Sequence, residues 1–255
     1  MLLAVDIGNT NIVFGLFREK KLLMHWRIRT ELNRTTDEYW VLVQEFIRLN
    51  SADPETIDAL ILSCVVPPLV PVFEELSLKF FGTKALVVGP GVKTGIPILY
   101  KNPVEVGADR IVNAVAGFEK YGGPLILVDF GTATTFDAVS AQGEYLGGAI
   151  APGLRISLEA LFRNTAKLSP VDLAVPEYVI GRSTMESIQS GTVYGFVGMI
   201  DSIVYRMQKE MKSKARVIGT GGLIGVIAEQ VESIEEVDDF LTLEGLSLIY
   251  ERNRK

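Results

Sequence analysis

The chain opens with three runs of apolar or alternating residues, 2–6, 12–17 and 22–29, separated by short polar turns. That pattern predicts three strands joined as an antiparallel meander. Apolar residues at helical spacing follow in "DEYWVLVQEFIRL" (37–49), with Thr36 placed to cap the helix start. "DALILSCV" is a short continuous apolar run, suited to a buried parallel strand. A helix around 70–80, the strand "KALVVG" and a Gly/Pro-rich loop are expected next. A helix at 108–121 then leads into the strand "PLILVDF" (124–130) and two strand-like runs at 133–139 and 145–150. Helices are expected over 153–166 and 184–212, then the strand "ARVIGTGG" with its glycine turn, and helices at 222–230 and 242–252. Strands alternating with helices indicate an α/β architecture.

One internal comparison sharpens this picture. "LAVDIGNTNIVFGLF" (3–17) and "ILVDFGTATTFDAVS" (126–140) share an apolar strand, Val-Asp, an apolar residue, Gly, a polar cluster and a second strand. A third strand-like run follows each, "LLMHWRI" and "EYLGGAI". A hairpin echoed near the start and the middle of a chain predicts a duplicated fold with two similar halves. The expected division is 1–117 and 118–255.

Composition narrows the function. With 48% hydrophobic and 22% charged residues the 255-residue chain is globular and can bury a substantial core. No run of about 18 apolar residues appears, and the start "MLLAVDIG" lacks a basic region and a cleavage site, so no membrane segment and a cytoplasmic location are expected. The net charge of −6, without a dense Lys/Arg run, argues against a nucleic-acid partner. The single cysteine, Cys64, can form neither an intramolecular disulfide nor a multi-thiolate zinc site, and its apolar surroundings suit a buried small side chain. The single histidine, His25, lies in an alternating segment. Catalysis would therefore run on carboxylates, hydroxyls, metal and backbone.

The two hairpin tips carry that chemistry. Asp6 and Asp129 end buried strands, where an unpartnered charge is costly. With Lys and Arg absent from both tips, a metal ion is a good candidate partner. Gly8 and Gly131 let the backbone turn sharply and approach a ligand. Asn9, Thr10 and Asn11, and likewise Thr132, Thr134 and Thr135, set short polar groups beside backbone N–H groups, an arrangement that cradles phosphates. An Asx-turn hairpin whose acid is satisfied by local amides is the plainer alternative. "GPGVKTG" (89–95) lacks the P-loop order and spacing, and "GTGGLIG" (219–225) fails the dinucleotide spacing because Ile224 stands at the third glycine position. In "GADRIVNAVAGF", Ile111, Val112, Val115 and Phe118 form an apolar face that leaves Asp109 and Asn113 on another side. Asp109 suits either simple interaction with the helix dipole or the task of orienting an acceptor hydroxyl and taking its proton. Arg110 beside it suits either a substrate carboxylate or a surface salt bridge.

Two Asp-Gly-Thr-type hairpins with a late glycine turn resemble the acetate and sugar kinase, Hsp70 and actin superfamily of ATP-binding folds. Within it, "DIGNTN", "GADRIVNAVAG", "DFGTATTFD" and "GGAIAPGL", in that order, are similar to the motifs of the type III pantothenate kinases. The resemblance implies two duplicated ribonuclease H-like halves of the actin-like ATPase class, each a mixed sheet flanked by helices. It implies transfer of a phosphoryl group from ATP to pantothenate, the first step of coenzyme A biosynthesis, by a homodimer. It further implies an ATP phosphate site at Asp6, Ile7, Gly8, Asn9, Thr10, Asn11, Ile12 and Val13, with Asp6 near magnesium, and a second ATP contact at Thr132. Asp129 corresponds to the ligand of a monovalent cation, potassium or ammonium. Gly107, Ala108, Asp109 and Arg110 correspond to the pantothenate-binding segment, with Asp109 as catalytic base, and Tyr100 and Thr184 to two further substrate contacts. Without the resemblance, packing under a loop would account for Tyr100 and an ordinary helix cap for Thr184.

Overall fold

The structure, a computed structural model, describes residues 1–254. The meander forms as expected: β1 (Leu2–Ile7), β2 (Asn11–Arg18) and β3 (Lys21–Arg29) are antiparallel neighbours. Then come α1 (Thr36–Leu49), β4 (Ala59–Cys64), α2 (Val70–Phe81), the short β5 (Leu86–Val87) and α3 (Ala108–Tyr121). The second half repeats the order with β6 (Leu125–Phe130), β7 (Ala133–Val139), β8 (Tyr145–Pro152), α4 (Leu154–Arg163), α5 (Thr184–Met211), β9 (Arg216–Thr220), α6 (Ile224–Ile227), β10 (Glu236–Val237) and α7 (Leu241–Asn253). The sheets run β3-β2-β1-β4-β5 and β10-β9-β6-β7-β8, so β6 corresponds to β1, β7 to β2 and β9 to β4. In each sheet an antiparallel meander is extended by parallel strands, and the duplication read from the hairpins is a duplication of the whole sheet.

Strand alternation sets which face each sheet buries. In the first sheet Leu3, Val5 and Ile7 of β1, Ile12, Phe14 and Leu16 of β2 and Trp26 of β3 join Tyr39 and Val43 of α1 and Phe73 of α2 in one core. Phe14 and Trp26 stack there with centroids 5.2 Å apart. In the second sheet Ile126, Val128, Phe130 and Phe136 pack with Val193, Ile200 and Val204 of α5. The acid of each hairpin falls on the opposite face from these cores.

The chain divides into two compact units. The first holds Met1–Ile96, Lys101–Ala116 and the chain from Phe240 onward, and the second holds Pro97–Tyr100 and Gly117–Asp239. Two segments depart from a simple split near residue 116. Helix α7 packs on β1, β2 and β4, with Leu243 against Gly15. Pro97–Tyr100 joins β8: the Tyr145 N–H donates to the Pro97 carbonyl (2.8 Å) and the Leu99 N–H to the Tyr145 carbonyl (2.8 Å). Both crossings pair residues far apart along the chain, which periodicity cannot register.

Local corrections have local causes. Thr35, not Thr36, caps α1: its hydroxyl accepts from the Glu38 N–H while the Glu38 carboxylate accepts from the Thr35 N–H, a capping box. The helix expected at 222–230 is the four-residue α6 followed by a 3-10 turn, Ala228–Gln230. Strand β10 was not foreseen, because two residues are too few to show an alternation.

Candidate active site

The first tip is built by the β1–β2 register. Asp6 lies opposite Val13 and Ile7 opposite Ile12, and the Gly8 N–H then closes the turn onto the Asn11 carbonyl at 3.0 Å. A Cβ on Gly8 would stand 3.1 Å from that oxygen, so glycine permits the tight turn. The tip is tied to the end of β3, since the Thr30 hydroxyl donates to the Gly8 carbonyl (2.6 Å) and its N–H to the Thr10 carbonyl (3.0 Å). Asn9, Thr10 and Asn11 are exposed, whereas Ile7 and Ile12 are core residues that can meet a ligand only through backbone. On the other flank of Asp6 the parallel partner is Ser63, whose fully buried hydroxyl has no hydrogen-bond partner among the described residues. Cys64 is partly buried, with its thiol donating to the Val66 carbonyl at 3.1 Å. Burial, with Asp6 adding to it, pushes that thiol up, so it stays protonated and unreactive. The expectation that no cation lies near this tip holds along the chain but not across the sheet: β3 sets Arg27 opposite Val13 and Arg29 opposite Asn11.

The second tip reproduces the first. Asp129 lies opposite Thr135, and the Gly131 N–H closes onto the Ala133 carbonyl at 3.0 Å. Thr220 of β9 is the parallel partner of Asp129, in the place that Ser63 takes beside Asp6. The glycine turn after β9 lies directly on this tip: a Cβ on Gly221, where φ is +98°, would strike Asp129 Oδ1 and the Phe130 backbone. Thr132 is exposed, and its carbonyl accepts from the Gly153 N–H at the start of α4 (3.0 Å). Thr134, expected at the tip, instead points to the core side with Phe136, as alternation along β7 requires. A residue given no role beforehand, Asp137, is buried on the same face as Asp129 and Thr135. It accepts from the Tyr145 hydroxyl at 2.7 Å and from the Thr135 hydroxyl at 3.2 Å. Its signal was present, since Asp137 stands two residues beyond the strand partner of Asp129.

Asp109 begins α3. Its Oδ1 accepts from the Arg110 N–H at 2.8 Å, and a Cβ on Gly107 would come within 2.5 Å of that same oxygen. Glycine at 107 therefore leaves room for the carboxylate to lie back over the helix start. Burial raises the Asp109 pKa, opposed in smaller part by the Arg110 N–H and guanidinium. Arg110 is 6% exposed, which excludes a surface salt bridge as its role. Asn113 is also buried and accepts from the Thr242 hydroxyl of α7 at 2.7 Å, so α7 covers the polar side of α3 at this position. The His25 ring packs at a tilt against Phe240, with centroids 4.6 Å apart and planes 60° apart, a packing role.

Tyr100 and Thr184 belong to the second unit. The Tyr100 ring lies over Gly147, whose absent Cβ would stand 3.4 Å from it, and beside Tyr145 at 6.4 Å between centroids. Thr184 is exposed at the first position of α5, and the cap is Ser183, whose hydroxyl accepts from the Glu186 N–H at 3.2 Å. Thr184 lines a cavity of about 950 Å³ with Arg182, Ser157 and Leu158. Within the first unit the site residues are Asp6–Val13 at the tip and Gly107–Arg110 at the start of α3; within the second they are Asp129 and Thr132 at the tip, Tyr100 beside β8 and Thr184 on α5.

Duplicated sheets, each opening on a hairpin with an acid and a glycine at its tip, define the fold class of the actin-like ATPases and sugar kinases. Solved structures share the fold: the 2-hydroxyisocaproyl-CoA dehydratase activator of Clostridium difficile (TM-score 0.52, 11% identity, 99% of this chain and 97% of that one) and the ethanolamine utilization protein EutJ of Carboxydothermus hydrogenoformans (TM-score 0.57, 13% identity, 97% and 89%). The type III pantothenate kinase profile matches residues 2–206. Type III pantothenate kinases of Geobacter sulfurreducens and Myxococcus xanthus are 57% and 54% identical to the chain, over 100% and 99% of both partners. The chain belongs to the type III pantothenate kinase family, and it is a kinase.

Proposed function

We propose that this protein transfers the terminal phosphoryl group of ATP to the primary hydroxyl of pantothenate, the first step of coenzyme A biosynthesis. Membership of the family supports the substrates. The observation that carries the chemistry is Asp109, a carboxyl raised by burial and held at the start of α3 with a buried arginine beside it. Asp109 takes the proton of the attacking hydroxyl, and Arg110 holds the substrate carboxylate. Ala108, Tyr100 and Thr184 are assigned to the rest of the substrate. Backbone N–H groups at Asn9–Asn11 hold phosphate oxygens, with Thr132 as a further nucleotide contact. Phosphoryl transfer depends mainly on positioning and charge, which suits a site without a strong nucleophile.

The residues present fit two cations. Hard divalent ions take oxygen ligands, and Asp6 supplies a carboxylate with the orphaned Ser63 hydroxyl at its flank, a donor set that suits magnesium. At the second tip Asp129 lies against the bare Gly221 turn, where carboxylate and backbone oxygens suit a larger monovalent ion such as potassium or ammonium. When bound, these ions offset the charge of the phosphates. A homodimer is supported by apolar residues exposed around Thr184, among them Val179, Met185 and Ile180, the last 82% exposed; sedimentation of the purified chain tests it. The deciding assay mixes protein, ATP, magnesium and pantothenate: phosphopantothenate is the expected product, and release of free phosphate alone would exclude the reading. No helix among the described residues is long and apolar enough to cross a membrane.

A further inference from the structure

We propose that Arg27 binds the terminal phosphoryl group of ATP during transfer. This rests on the reading of the first tip as the ATP phosphate site. Along β3 the side chains alternate: Trp26 lies in the core with Met24 and Ile28 against it, and Arg27 and Arg29 are exposed on the other face. Asp6, Val13 and Arg27 stand in one row across three strands, on that face. At about 4.8 Å per strand, the Arg27 backbone lies roughly 10 Å from that of Asp6. An extended arginine side chain covers most of that separation, so phosphate oxygens held at the Asp6 tip would fall within reach of the Arg27 guanidinium.

Two further observations separate Arg27 from an ordinary surface cation. Among the described residues the Arg27 side chain makes no hydrogen bond or ion pair, so its planar fork of donors is available to phosphate oxygens. The duplicated sheet supplies an internal comparison: the row through the second acid runs Asp129, Thr135, Ile150, with an exposed isoleucine where the first row has Arg27. The two tips are alike in turn and acid, but the row through the acid ends on a charge only in the first. The first is therefore equipped for an anion in a protein whose net charge of −6 otherwise repels one. The β3 end that carries Arg27 is pinned to the tip by the two Thr30 hydrogen bonds, which keeps the row in register.

The test compares Arg27→Gln, Arg27→Lys and Arg29→Gln in the full-length protein. Arg29, on the same strand and face, controls for loss of charge alone. Arg27→Gln should lower kcat/KM for ATP on the order of 10²-fold, in the range seen on removing one group that stabilises transition-state charge. The KM for pantothenate and the melting temperature should hardly move, and Arg27→Lys should recover part of the loss. Calorimetry should show ATP affinity weakened more than ADP affinity, because only ATP carries the contacted group. Arg29→Gln should cost at least tenfold less than Arg27→Gln. Activity of Arg27→Gln within threefold of the unmodified protein, equal losses for ATP and ADP, or equal losses at Arg27 and Arg29 would each overturn the proposal. Failure of the underlying reading looks different: the unmodified protein itself would then phosphorylate no pantothenate.

Discussion

Burial around Asp109 raises its carboxyl above the ordinary aspartate value of about 3.9, while the Arg110 N–H and guanidinium pull the other way. A general base works only when deprotonated. Raising its pKa therefore moves the acid limb of the pH–rate profile upward, and activity climbs as pH passes through the raised value. The expected kcat/KM profile falls on its acid side at a pH above the usual aspartate range. Asp109→Asn should lose about 10²–10⁴-fold in kcat and lose that limb, with thermal stability retained. Near-normal turnover in this variant would remove Asp109 from the mechanism. The position of Asp109 at a helix start was legible from "GADRIVNAVAGF" alone. Its burial was not, because enclosure by distant segments leaves no mark on neighbouring residues.

At the scale of elements, the β9–α6 glycine turn and the β6–β7 hairpin form one structural unit, with Leu223 N–H donating to the Phe130 carbonyl at 3.3 Å. Gly221 sits there at φ +98° with no room for a side chain. Gly221→Ala should cost about 1–3 kcal/mol through backbone strain alone, and should displace the Asp129 carboxylate as well. Both effects are measurable, as a melting temperature lowered by several degrees and as a weakened response to potassium. Gly225→Ala, where a Cβ meets nothing within 4 Å, should leave both within error. The glycine turn was readable as a turn between strand and helix. That it caps the second acid was not, because the parallel pairing of β6 with β9 joins segments some ninety residues apart.

For the whole molecule, the duplicated sheets carry unequal tips, and the proposed reaction gives each a separate task. Divalent-ion and phosphate binding falls to the tip with Asp6, Ser63 and Arg27, and the monovalent ion to Asp129. A large, weakly hydrated ion suits carboxylate, carbonyl and phosphate oxygens together. Replacing potassium by sodium at constant ionic strength should accordingly weaken ATP binding and slow turnover. Asp129→Ala should remove the dependence and leave ATP binding weak even at high potassium. Indifference of the unmodified protein to the monovalent ion would dismiss Asp129 from this role.

The chain by itself determined the strand–turn–strand tips, their repetition and the order of helices and strands apart from β10 and the shortened α6. Those features arise from period-two alternation, helical spacing and glycine at turns, all written within a few consecutive residues. Tertiary structure alone decided that α7 returns to the first sheet and that Pro97–Tyr100 extends the second. It alone buried Arg110 and Asn113, and it alone set Arg27 in line with Asp6. Periodicity says which face of an element is apolar but not what covers the other face. Register across a sheet is settled only when strands distant in sequence bury their apolar faces in one core.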